Sequence, residues 1–225
     1  MYRVVIFGGT FDPIHIGHLR GIIETGEILR PEKILVVPAG HPPHKETKYH
    51  TPPEDRLEMT RLAVRGIEGV EVFDYEVKKS SPSYTIETIE EVEKRYGTND
   101  HAVVVGSDSL ETFTTWHRYV EILEKTDLVV IPRPGHLDGL TLEEVERSIA
   151  PVSITGIVRD FPSPGCVTME TGKGRRIVSL PIREINVSAT EIREKVAAGK
   201  SVKFLIPREV ENYIIEKKLY RRCEK

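Results

Sequence analysis

This sequence has few cysteines and no long apolar run. It contains 2 cysteines, Cys166 and Cys223, and neither lies in a CxxC or Cys/His grouping. A disulfide scaffold and a structural zinc site are therefore not expected. No stretch approaches the roughly 18 apolar residues of a transmembrane helix, and the apolar run that follows Arg3 is too short for a signal peptide. We therefore predict a cytoplasmic protein with no membrane partner.

An excess of one sign of charge is also missing. The chain has 32 Lys and Arg residues against 35 Asp and Glu residues, a formal net charge of −3. Sequence-independent binding to DNA or RNA needs a strong basic field, so no nucleic-acid partner is predicted. Hydrophobic residues make up 39% of the chain and charged residues 30%, which is ordinary for a globular protein with a core.

Short runs of β-branched residues alternate with segments of helical periodicity. Strands are predicted at 3–7, 33–37, 70–73, 102–105, 128–131 and 177–180, and helices at 17–29, 54–64, 85–96, 119–124, 141–149, 188–198 and 207–217. Such alternation is typical of an α/β fold, here a doubly wound parallel sheet with a small helical C-terminal end. One domain is expected, with a core at 1–180 and a C-terminal helical part at 181–225. The Gly- and Pro-rich stretch 161–176 is assigned only to loops or a hairpin.

The segment after the first predicted strand, Gly8-Gly9-Thr10-Phe11-Asp12-Pro13-Ile14-His15-Ile16-Gly17-His18, has features of a phosphate-binding loop. Adjacent glycines allow close backbone approach, and the following helix start offers free N–H groups and a positive dipole end. His15 and His18 can share one side of the first turn, with Gly17 leaving room for a ligand between them. Two unrelated polar residues are the alternative, but an H-x-G-H match directly after a strand is rare by chance.

Two further segments carry cations near predicted loops or helix starts. His44 and Lys45 follow two prolines that stiffen a loop, and on their own they indicate a solvated turn as readily as a ligand contact. Ser188 and Glu191 have the spacing of a capping box, which predicts a helix start whether or not it binds anything. Arg193 projects from the second turn of that helix, and a helix start with an arginine suits a triphosphate.

Two more candidates follow the strand at 102–105. Gly106 would let a flat adenine approach, and Asp108 would accept hydrogen bonds from ribose hydroxyls; alternatively, Asp108 caps the next helix. Trp116 is the 1 tryptophan of the chain and lies in a polar segment. Its ring could stack on a cationic pyridinium ring, although core packing is the simpler interpretation of Trp116 alone.

Together, GGTFDPIHIGH and the segments PPHK, PSYT, GSD, TTWH and SATEIR resemble the HxGH nucleotidylyltransferase superfamily, and most closely its bacterial nicotinate-mononucleotide adenylyltransferases. The resemblance covers nearly the whole chain except about 137–176, and Val187 replaces the usual isoleucine, a mild change. It implies a Rossmann-like sheet and transfer of the adenylyl group of ATP to nicotinate mononucleotide, with release of pyrophosphate.

The resemblance also implies a set of site residues. Those implied to be catalytic are His15, His18, Lys45 and Arg193. Those implied to bind ATP are Gly8, Gly9, Thr10, Phe11, His15, His18, His44, Lys45, Gly106, Asp108, Ser188 and Arg193. Those implied to bind nicotinate mononucleotide are Thr10, Tyr84, Thr85 and Trp116. Mg²⁺ is expected with ATP, held mainly by phosphates and water, and no protein ligand for it is assigned. A monomer and a homo-oligomer are both compatible with the sequence.

Three alternatives stay open. A pantetheine-phosphate adenylyltransferase shares the histidine motif but is typically shorter and lacks the PSYT and tryptophan segments. A class I aminoacyl-tRNA synthetase fragment has a similar motif, but this chain shows no KMSKS-like loop. A non-catalytic nucleotide sensor on the same fold would not need His15, His18 and Arg193 intact, and a pyrophosphate-release assay would identify it.

Overall fold

The computed structural model describes residues 2–41, 51–133 and 141–221. Its contacts divide the chain into two units. The first unit comprises Met1–Gly8, Gly21–Leu35 and Tyr84–Glu184, and the second unit comprises Gly9–Arg20, Val36–Ser83 and Ile185–Lys225. The predicted C-terminal part, 181–225, belongs to the second unit from Ile185 onwards. Organisation as a single domain remains a prediction.

The described residues form eight strands in the order β3-β2-β1-β4-β5-β8-β7-β6. Their bounds are β1 Val4–Gly9, β2 Lys33–Pro38, β3 Val70–Val72, β4 His101–Gly106, β5 Asp127–Ile131, β6 Ile154–Arg159, β7 Val167–Thr171 and β8 Arg176–Ser179. Strands β1, β4, β5 and β8 are parallel neighbours. All five residues of β5 are buried, as expected for a strand covered on both faces. The doubly wound parallel sheet is thus confirmed.

Helices occupy the segments between the strands. They are α1 Ile16–Leu29, α2 Pro53–Val64, α3 Thr85–Tyr96, α4 Ser107–Glu111, α5 Tyr119–Lys125, α6 Leu142–Ile149, α7 Ala189–Ala197 and α8 Arg208–Glu216, with a 3₁₀ turn at Phe113–Thr115. The predicted capping box of α6 is present, because the Thr141 side chain accepts from the Glu144 N–H and the Glu144 carboxylate accepts from the Thr141 N–H. Helix α4 and the 3₁₀ turn were not predicted, since neither is long enough to show a periodicity.

A β-hairpin extends the sheet beyond its parallel part. Strands β6 and β7 pair antiparallel, with Val158 opposite Thr168, and β7 pairs antiparallel with β8. The stretch 161–176 was assigned to loops or a hairpin, and of these two the hairpin is present, with β7 inside the stretch. Strand β6 lies before it and was missed. Four of its six residues are exposed and two are half-buried, so this edge strand lacks the apolar run that marks the buried strands.

The strand order reverses at β1, which positions the candidate site. From β1 the chain continues to β2 and β3 on one side, and β4 and β5 lie on the other. Phe7 pairs with Val104, so β1 and β4 end at the same edge of the sheet. Ligands of doubly wound sheets bind beyond the carboxyl ends of the strands at such a reversal. Among the described helices, none combines the length and the apolar character of a membrane span.

Candidate active site

In the second unit, the loop after β1 has an unusual backbone. Phe11 has a φ of 51°, in the left-handed region that costs a residue with a Cβ about 1–3 kcal/mol. Its ring is buried and packs over Gly9, where an added Cβ would lie 2.6 Å from two ring carbons. The loop therefore needs a glycine at position 9 and contacts that hold its backbone in place.

The two predicted histidines meet at the start of α1. The rings of His15 and His18 stack with centroids 3.7 Å apart and planes 25° apart. This contact confirms that they share one side of the turn, but it leaves no room between the rings. The expected space beside Gly17 is therefore absent, since the His15 ring lies against that residue at 3.1 Å from a built Cβ.

The hydrogen bonding of His18 defines its tautomer. The backbone N–H of His15 donates to His18 Nδ1 at 3.3 Å. A backbone N–H is always a donor, so His18 Nδ1 must act as the acceptor and the proton of the neutral ring lies on Nε2. The rings of His18 and the buried Phe11 also meet in a T-shaped contact, with centroids 5.1 Å apart. His18 therefore has a fixed orientation, with its proton on Nε2.

Helix α7 brings its predicted residues to the same loop. Ser188 is the N-cap, and its side chain accepts from the Glu191 N–H at 3.1 Å, one of the two bonds of the predicted capping box. Arg193 donates from Nη1 to the Asp12 carbonyl at 2.7 Å and from Nη2 to Thr190 Oγ1 at 3.0 Å. Its buried Nε has no hydrogen-bond partner among the described residues. Three of the five guanidinium N–H donors therefore make no hydrogen bond to a described residue and could bind another acceptor.

Arg56 on α2 is a loop-holding residue that sequence reasoning missed. Its guanidinium donates to four carbonyls, those of Thr10 at 2.8 Å, Ala39 at 2.5 Å, Gly40 at 2.8 Å and Thr51 at 3.2 Å. The residue is 4% exposed, and burial lowers its pKa from the usual value. Its helical spacing to the buried Thr60 and Val64 was the available signal, because residues four apart share a helix face.

His44 and Lys45 lie outside the described residues. In the second unit the structure thus brings together His15, His18 and Arg193, around a loop whose Thr10 carbonyl is held by Arg56.

In the first unit, β4 ends in a polar cluster. Gly106, not Asp108, is the N-cap of α4, so the capping role considered for Asp108 is wrong; Asp108 lies in the first turn. An added Cβ at Gly106 would clash with Asp108 Oδ1. The Asp108 carboxylate can therefore occupy its position only because residue 106 has no side chain. Gly8 lies exposed at the end of β1 in the same unit.

Arg133 was also missed. Its Nε lies 3.8 Å from Asp108 Oδ1, and its backbone N–H donates to Ser107 Oγ at 3.0 Å. The Arg133 Nε and Asp108 Oδ1 atoms are buried and have no hydrogen-bond partner within the described part of the chain, which in a native protein calls for an explanation. The position of Arg133 just after β5, at the carboxyl edge of the sheet, was the sequence signal that could have identified this residue.

The PSYT and TTWH segments come together in the first unit. Tyr84 is the N-cap of α3, and its ring packs on His117 with centroids 4.4 Å apart. Trp116 is half-buried and packs against Phe113 at 5.2 Å. No side chain caps α3. The N–H groups of Glu87 and Thr88 donate to the Tyr84 carbonyl, so among the described residues the N–H groups that a ligand could use at this helix start are those of Thr85 and Ile86.

Metal-binding side chains are not grouped in the part of the chain that the structure describes. Its residues include no group of three or more His, Cys, Asp or Glu side chains placed to hold a metal ion.

Known proteins resemble this chain over most of its length. Residues 6–195 match the cytidylyltransferase-like family. A protein of Pseudomonas syringae pv. tomato described as "Probable nicotinate-nucleotide adenylyltransferase" is 37% identical over 220 residues, 97% of this chain and 94% of that protein. A protein of Desulfatibacillum aliphaticivorans with the same description is 35% identical over 97% of this chain and 99% of its own.

Solved structures give the same fold. Nicotinic acid mononucleotide adenylyltransferase of Plasmodium falciparum, complexed with NaAD, superimposes with a TM-score of 0.70 over 98% of both chains, at 16% identity. The same enzyme complexed with APC gives a TM-score of 0.68. At this identity the likeness is one of fold alone.

Proposed function

Because the chain belongs to the cytidylyltransferase-like family and, within it, to the nicotinate-nucleotide adenylyltransferases, we propose that it transfers the adenylyl group of ATP to nicotinate mononucleotide. The products are deamido-NAD and pyrophosphate. The stacked pair of His15 and His18 at the start of α1 carries the proposal, since it is a preorganised donor site for phosphate at the carboxyl edge of the sheet.

The reaction is an in-line attack of the mononucleotide 5′-phosphate on the α-phosphorus of ATP. An ionised phosphate needs no general base, so catalysis consists of positioning and charge stabilisation. The Nε2–H of His18 donates to the transferring phosphate, and the His15 ring holds His18 in place by stacking while contributing to the same charge stabilisation. Arg193 and Lys45 stabilise the leaving pyrophosphate, with Ser188 and His44 on the β- and γ-phosphates.

The nucleoside part of ATP is assigned to the end of β4. Asp108 Oδ1 is an acceptor and Arg133 Nε a donor, and neither has a hydrogen-bond partner in the ranges that the structure describes. A ribose hydroxyl can donate to the one and accept from the other, which supports Asp108 as the ribose contact. Gly106 lies beside the adenine in this assignment. The backbone from Gly8 to Phe11 approaches the phosphates.

The pyridine mononucleotide is assigned to the segments around Tyr84 and Trp116. The Trp116 ring would stack on the pyridine ring, and the free N–H groups at Thr85 would donate to its carboxylate, with Thr10 as a further contact. A helix start offers donors and a positive dipole end, so this site favours the acid over the amide.

Mg²⁺ would enter with ATP, neutralising phosphate charge while bound mainly to phosphate oxygens and water. We assign no residue of this chain to it. We further propose a cytoplasmic location, because the sequence has no long apolar run, and no nucleic-acid partner, because the net charge of −3 gives no basic field.

Product analysis tests this proposal. Purified protein is mixed with Mg-ATP and, separately, nicotinate mononucleotide, nicotinamide mononucleotide or phosphopantetheine, and the products are identified by mass. Deamido-NAD from the first acceptor is expected. Adenylylated pantetheine would favour the pantetheine-phosphate enzyme, and no product with any acceptor would favour the sensor.

A further inference from the structure

Asp12 connects the histidine loop to the C-terminal end of the described chain. Its side chain is buried, and Oδ1 accepts a hydrogen bond of 2.6 Å from the hydroxyl of Tyr220. Tyr220, also buried, follows α8 and is more than 200 residues away along the sequence. The contact lies within the second unit.

The hydroxyl of Tyr220 is a permanent donor. Burial raises the pKa of this phenol well above its usual value, and the Asp12 carboxylate adds to that shift. The hydroxyl therefore keeps its proton at neutral pH and remains the donor of the bond to Asp12.

Asp12 is joined to the catalytic residues in two ways. The Asp12 carbonyl accepts a hydrogen bond from Arg193 Nη1 at 2.7 Å. In the sequence, Asp12 follows Phe11, which has a left-handed backbone, and precedes His15 by three residues. A rotation of the Asp12 peptide would therefore move the anchor of Arg193 and the approach to His15 together.

We infer that Tyr220 is a positioning residue for the transfer reaction, its hydroxyl holding the Asp12 peptide so that Arg193 and the histidine pair keep their reactive arrangement. This role presupposes the adenylyl transfer proposed above. Tyr220 itself touches no reacting atom.

Tyr213 provides a matched control. Its hydroxyl donates to Asp55 Oδ1 at 2.7 Å, the same chemistry at nearly the same distance, in the same unit. Asp55 lies in the first turn of α2 and outside the histidine loop. Tyr213→Phe and Tyr220→Phe each remove one hydroxyl, and only the second acts on that loop.

The test compares steady-state kinetics and melting temperatures of the two variants. Both are expected to lower the melting temperature. Tyr220→Phe should lower kcat by about 10- to 100-fold, the effect of a displacement of reacting groups, with the KM for nicotinate mononucleotide within twofold of wild type. Tyr213→Phe should keep kcat within about twofold. Equal kcat values for the two variants would overturn the inference.

Two further measurements keep the role testable if Tyr220→Phe folds poorly or if the wild type proves inactive as a transferase. Asp12→Asn keeps a side-chain oxygen that can accept from Tyr220, so it should retain more of kcat than Asp12→Ala. The ring-nitrogen chemical shifts of His18 report its tautomer without any assay of activity. They should change in Tyr220→Phe and not in Tyr213→Phe; unchanged shifts in both would contradict the positioning role even where transfer fails.

Discussion

Replacing Arg56 with lysine removes a planar hydrogen-bonding fork from the loops after β1 and β2 and keeps the positive charge. The guanidinium spreads its donors over three nitrogens that reach the carbonyls of Thr10, Ala39, Gly40 and Thr51. A lysine ammonium is a single point with three donors, so it cannot reach all four carbonyls.

The size of the effect follows from the unpaired carbonyls. If the ammonium reaches two of the four, two buried carbonyls lose their partner, at about 1–3 kcal/mol each. Arg56→Lys should therefore lower the free energy of unfolding by about 2–6 kcal/mol. Because one of those carbonyls belongs to Thr10, kcat should fall as well.

Urea unfolding followed by circular dichroism measures the first effect. Arg61→Lys is the control, since Arg61 lies on the same helix and pairs with Asp74 at 3.1 Å in an exposed ion pair. Such a pair contributes about 0–1 kcal/mol. A loss below about 1 kcal/mol in Arg56→Lys, equal to that of the control, would refute the assigned role of the four bonds.

Four other outcomes are expected. His18→Ala should lower kcat about 10²–10³-fold with little change in melting temperature, because it removes one donor from a half-buried position; activity within a few-fold of wild type would exclude His18 from catalysis. Arg193→Lys should raise the KM for ATP, since an ammonium loses both the anchor on the Asp12 carbonyl and the fork; unchanged ATP kinetics would make Arg193 a structural residue only. The acid mononucleotide should exceed the amide at least about tenfold in kcat/KM, because donors at the α3 start leave an amide NH₂ unpaired; comparable values would contradict the assignment of the pyridine site. Burial lowers the pKa of His101, so the unfolded chain binds more protons than the folded one below about pH 6.5. Stability should therefore fall as the pH drops through that range, and less so in His101→Gln; equal pH profiles of urea unfolding would argue against this.

The sequence predicted the features that depend on local pattern. Buried strands such as β5 show as apolar runs because both of their faces are covered, and α6 shows its capping box directly. The histidine motif could be placed because it directly follows such a strand. The edge strand β6, with mostly exposed residues, carries no comparable signal.

The contacts that hold the loop could not be predicted. The spacing of Arg56 to Thr60 and Val64 could have indicated that it faces inward. Its hydrogen-bond partners could not be predicted, because they are carbonyls from three separate loop segments. The bond between Tyr220 and Asp12 joins positions with no local relation. The stacking of His15 on His18 also replaced the expected space between them, since spacing predicts a shared face but not a ring contact.

The most direct test of the central claim follows the phosphorus atoms. Protein, Mg²⁺ and nicotinate mononucleotide are incubated with ATP radiolabelled at either the α- or the γ-phosphorus, and the products are separated. We expect the α label only in the dinucleotide and the γ label only in pyrophosphate. Transfer of the γ label to the mononucleotide, or retention of both labels in ATP, would contradict adenylyl transfer by this site.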